Sequence, residues 1–131
     1  MSSAARLRAA TVGVSLASLP FAMPHVLEDF ARGTACLGWL APEACAAGLG
    51  AFLALQALGL VALAAGRRAG WALTMAVGLV WLAGAALEHG PAVVGGTVGR
   101  SALSGVWLGG LVGGQAVAVL LAAWGWRATA A

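Results

Sequence analysis

Four long apolar stretches run along the chain, at Ala9–Leu27, Ala44–Ala65, Gly70–Leu87 and Ser101–Trp124, with short polar or glycine-rich intervals between them. Each is close to the roughly 20 residues that cross about 30 Å of hydrocarbon as a helix. No stretch keeps the period-two alternation of a strand, and a barrel would need many more segments. The pattern predicts an all-α, four-span transmembrane helix bundle, forming one integral membrane domain over residues 1–131.

Composition agrees with a lipid solvent. Hydrophobic residues make up 62% of the chain and charged residues 8%, too few charges to cover a water-facing surface. The net charge of +3 comes from seven arginines and four acids. The arginines sit at span ends, which marks them as topology signals rather than as a nucleic-acid patch. Arg6, Arg8, Arg67, Arg68 and Arg127 fall on one side and only Arg32 and Arg100 on the other. The positive-inside rule then places both termini in the cytoplasm. Pro20 and Pro24 interrupt the region where a signal-peptide cleavage site would lie, so the first span reads as retained. The Ala-, Gly-, Leu- and Val-rich bias, with no Lys, Ile, Asn or Tyr, suits a GC-rich bacterial genome and an inner (cytoplasmic) membrane.

The scarce ionisable residues are placed unevenly. The first span runs into Pro24-His25-Val26-Leu27-Glu28-Asp29 and the third into Glu88-His89-Gly90-Pro91. A rise of about 1.5 Å per residue brings both groups to the same outer height. Ionisable groups at membrane depth are costly and are functional candidates by default, although acids and histidines at a span end also mark a plain water boundary. On a helix, His25, Glu28 and Asp29 at i, i+3 and i+4 would share a face. Glu28, Glu88, His25 and His89 are the candidate catalytic groups, with a carboxylate as proton donor or acceptor. Asp29 and Arg100 complete the pocket, Arg100 pairing with Glu88 or Glu28.

Several chemistries suit such a cluster. One is binding or turnover of a small lipophile, quinone- or isoprenoid-like. Another is a divalent metal held by His25, Glu28, Glu88 and His89. A bis-histidine haem between His25 and His89 and a proton-coupled transporter are weaker readings. The rival to all of them is an accessory subunit of a larger membrane complex with no chemistry of its own.

The remaining polar and small residues concern packing. Cys36 and Cys45 flank the first outer loop, either as a disulfide in an oxidising compartment or as two free thiols. Gly105, Gly109 and Gly113 form a small-xxx-small stripe with Gly110 and Gly114 beside it, a doubled face toward another span or a second copy in a homodimer. Gln56 and Gln115, both near mid-depth, are expected to hydrogen-bond to each other. The apolar, glycine-rich segment Gly90–Gly99 is expected to be a loop, as a plain connection or folded over the cluster.

Overall fold

A computed structural model describes residues 2–33, 35–36, 40–96 and 102–129. It contains four helices: α1 (Ser3–Arg32), α2 (Pro42–Ala64), α3 (Arg68–Val94) and α4 (Ala102–Ala128). All four are long and apolar enough to cross a membrane.

The helices outrun the apolar stretches, most clearly in α1 and at the end of α3. Backbone hydrogen bonding does not stop where side chains turn polar. At the start of α1, Ser2 Oγ accepts a hydrogen bond from the Ala5 N–H at 3.2 Å, an N-cap. At its end Gly33 adopts φ 71° and donates its N–H to the Phe30 carbonyl at 3.1 Å. Only a residue without Cβ enters that left-handed conformation cheaply. Pro42 opens α2, where a missing N–H costs nothing, and Glu43 follows in the first turn. The expected loop from Gly90 is corrected over its first half. α3 continues through Gly90 and Pro91 to Val94, because one proline forfeits a single i→i−4 bond and the rest of the turn remains. Residues 97–100 lie outside the described residues.

The helices form a ring in which α1 packs along α4, α4 along α3 and α3 along α2. The fourth side is a seam where α1 and α2 meet only slightly. Neighbours run antiparallel, so α1 and α3 point the same way and end together. Glycines set the close approaches. A Cβ at Gly110 would strike the Phe21 ring, one at Gly114 would lie 2.7 Å from Ser18 Cβ, and one at Gly70 would overlap the Leu63 backbone. The stripe Gly105, Gly109 and Gly113 lies one position round the helix, where a Cβ would meet nothing within 4 Å. The chain thus packs on Gly110 and Gly114 and leaves the adjacent stripe unused.

Polarity is inverted relative to a water-soluble domain. Leu27, Leu87, Leu120 and Val94 are exposed, while Thr11, Ser15, Ser18, His25, Asp29, Gln56, Thr74 and Gln115 are buried. The buried residues of α1 are Thr11, Ser15, Ser18, Ala22, His25 and Asp29, a single stripe at alternating four- and three-residue spacing. α1 therefore turns a polar face inward along its length. Gln56 and Gln115 do not bond to each other, because each is taken up by a side chain on an adjacent helix. Gln56 Oε1 accepts from Trp81 Nε1 at 3.0 Å, and Gln115 Nε2 donates to Ser18 Oγ at 2.9 Å. Each glutamine joins adjacent helices instead.

Candidate functional site

The cluster forms at the end where α1 and α3 terminate. His25, on the inner stripe of α1, meets His89 of α3 with Nε2 atoms 3.1 Å apart and ring centroids 4.8 Å apart at a 55° tilt. One turn beyond His25 on the same face is Asp29, whose Oδ2 lies 3.3 Å from His25 Nε2. Both are almost fully buried, at 6% and 7% exposure. Since α1 and α3 are diagonal partners, these side chains reach across the bundle interior.

The face expected to hold His25, Glu28 and Asp29 together divides. Consecutive helical positions differ by about 100°, so Glu28 and Asp29 cannot point the same way. Asp29 turns inward with His25. Glu28 turns toward α4, where its Oε1 accepts from Ser104 Oγ at 2.7 Å and pairs with Arg32 one turn along α1. Arg32, read from sequence only as a topology signal, is thus the cation beside Glu28. Arg100 and its expected pairing lie outside the described residues. Glu88 stays with the cluster, its Oε2 3.9 Å from His89 Nε2.

His25, Asp29 and Glu88 form the polar wall of a cavity of about 330 Å³. Its other walls are apolar and aromatic, including Phe30, Leu49, Phe52, Trp81 and Leu111. The back wall is fixed by Trp81, which donates to Gln56 and meets Phe52 edge-on at 5.2 Å between centroids. A Cys36–Cys45 disulfide with Cα atoms 5.9 Å apart ties the connecting segment to α2, and Cys45 itself lines the cavity.

A second hollow of about 470 Å³ lies along the α1/α2 seam, lined by Val12, Leu16, Leu19, Met23, Leu53 and Leu60 among others. Gln56 belongs to its wall as well, so one residue touches this hollow and steadies the wall of the other.

Among the described residues, His25, Asp29 and His89 place one donor atom each within 4.8 Å of one another, a group able to hold a metal ion. A haem fits poorly between the histidines: their Nε2 atoms are at hydrogen-bond distance and leave no slot for a macrocycle. Sequence reasoning passed over Thr11, Ser15, Ser18, Trp81 and Ser104. The first three carried a legible signal, because they extend the spacing of His25 and Asp29 back through the first span. Trp81 and Ser104 carried none, being ordinary residues in apolar runs. No protein-family model, curated protein or solved structure matches this chain.

Proposed function

We propose that this protein binds a small amphiphile from the bilayer, of quinone-like or isoprenoid-like chemistry, with its polar head against His25, Asp29, His89 and Glu88. The observation that carries this reading is a polar-walled cavity and an apolar hollow linked through one hydrogen bond, Gln56 lining the hollow and its partner Trp81 lining the cavity. At about 330 Å³ the polar-walled cavity is at the small end of ligand pockets, which run from roughly 300 to 1,000 Å³. It suits a head group and not a whole lipid. The apolar hollow along the seam suits the tail. Histidine and carboxylate side chains at the head can donate to a carbonyl or accept from a hydroxyl, and Glu88 beside His89 forms a pair through which a proton could be exchanged with the ligand.

The arginine distribution supports cytoplasmic termini in a bacterial inner membrane, with the cavity at the periplasmic rim. The notable feature favouring the accessory-subunit reading is the unused Gly105, Gly109 and Gly113 stripe on the outside of α4. Co-migration with a larger complex in blue native electrophoresis, lost in Gly109→Leu, would favour that reading.

The test of the amphiphile reading uses purified protein in nanodiscs and decylubiquinone as probe. Saturable quenching of tryptophan fluorescence at one probe per chain is expected, and Ala85→Trp, which fills the cavity, should abolish saturation. Quenching that rises linearly with probe, or is unaltered by Ala85→Trp, would reject it.

A further inference from the structure

We infer that His25, Asp29 and His89 form a site for one divalent first-row transition ion, with Zn²⁺ the leading candidate and a coordination position open to the cavity. The same three side chains face the proposed head group, and a metal titration made without any amphiphile tests the ion separately.

The spacing of the donor atoms is the first argument. Zinc–nitrogen bonds of about 2.0–2.1 Å in a tetrahedron put neighbouring ligand atoms roughly 3.3 Å apart. His25 Nε2 lies 3.1 Å from His89 Nε2 and 3.3 Å from Asp29 Oδ2. All three donor atoms fall within 4.8 Å, so a small side-chain rotation closes the third edge.

The proton inventory is the second. His25 Nε2 stands at short range from both His89 Nε2 and Asp29 Oδ2, yet an imidazole nitrogen carries at most one hydrogen. It can direct that hydrogen at only one of them at full strength. A cation between the three atoms accepts an electron pair from each, which matches the convergence.

Topology is the third. α1 and α3 are diagonal in the ring and make no backbone approach of their own among the described residues. Helix packing alone does not require two imidazoles and a carboxylate to meet there. Two imidazoles and one carboxylate are borderline ligands suited to zinc or to ferrous iron with open positions. Glu88, 3.9 Å from His89 Nε2, is near enough to take a further position or to accept a proton from an ion-bound water.

The experiment uses the full chain in detergent, without a polyhistidine tag, stripped by chelator and titrated with Co²⁺ as a spectroscopic probe. One Co²⁺ per chain is expected, with the visible absorption of a nitrogen/oxygen site, displaced by Zn²⁺. Losing a ligand should weaken binding by more than the roughly 10–100-fold that an outer-shell change costs. His25→Ala and His89→Ala should therefore bind at least about 100-fold more weakly, while Glu28→Gln binds as the native protein does. The isosteric Asp29→Asn and a Zn²⁺-dependent rise in Tm of the native chain provide readouts if the alanine variants fold poorly. Displacement of Co²⁺ by anaerobic Fe²⁺ at lower concentration than by Zn²⁺ would keep the site and reassign the ion. Absence of stoichiometric Co²⁺ uptake by the folded native chain, or uptake unchanged in His25→Ala/His89→Ala, would overturn the inference.

Discussion

The Trp71 indole of α3 occupies the space that a side chain at position 125 of α4 would need, so a Cβ there would overlap the six-membered ring. Trp71 is buried with Leu63 and Ala122 in the main apolar cluster, and its ring has little room to retreat. Overpacking of this kind costs about 1–3 kcal/mol. Gly125→Ala should lower the thermal stability of the purified protein by that amount. Gly109→Ala, on the unused stripe, should be neutral or slightly stabilising, since alanine favours the helix. Thermal unfolding of the two variants side by side checks the contrast.

The Cys36–Cys45 disulfide closes a short loop beside the cavity that Cys45 lines. In the chain-entropy description a loop of this length gains about 2.5–3 kcal/mol. Reduction, or Cys36→Ser/Cys45→Ser, should lower stability by up to that amount and leave the helices intact by circular dichroism. Alkylation of intact cells before and after reduction measures the redox state, with label expected only after reduction.

Gln56 and Trp81 join α2 to α3 inside the bundle. Hydrogen bonds between membrane helices average about 0.6 kcal/mol and reach about 1.7. A double-mutant cycle with Gln56→Leu and Trp81→Phe should give a coupling energy within that range. Gln56→Leu should also weaken probe binding, since it releases the back wall of the cavity. A coupling energy of zero would mean that the two side chains do not share a bond in the membrane.

The proposed orientation has its own measurement. A fluorescent-protein fusion at the C-terminus should mature and fluoresce, while alkaline phosphatase at the same place should stay inactive. The reverse pattern would move the cavity to the cytoplasmic face.

Helix type and number were legible because apolar length alone decides whether a segment can span, and this chain has four such segments in a row. Which helix neighbours which was not legible. The expected bond between Gln56 and Gln115 rested on equal depth, and depth says nothing about position around a ring. Of the doubled glycine face only the Gly110 and Gly114 side packs on another span, and for a related reason the sequence did not single it out: it differs from Gly105, Gly109 and Gly113 by about one helical position, roughly 100°, and either set satisfies the motif. At the site, matched depth made the meeting of His25 with His89 possible, and the inward rotation of α1 that buries His25 completed it. The split between Glu28 and Asp29 depended on the rotation of α1, and that rotation was written in Thr11, Ser15 and Ser18, whose hydroxyls share the stripe of His25 and Asp29.

The ring order carries a consequence for biogenesis. α1, made before the other three helices, takes α4 as its principal neighbour, while α2 and α3 are joined by a three-residue turn and can enter as a hairpin. Until α4 emerges, Ser18 and Glu28 of α1 lack the Gln115 and Ser104 contacts that α4 supplies, in a solvent where polar groups are expensive. Nascent chains stalled before residue 102 should therefore linger at the insertion machinery or go to membrane proteases. The quality-control checkpoint then falls at the emergence of α4, the helix that closes the ring.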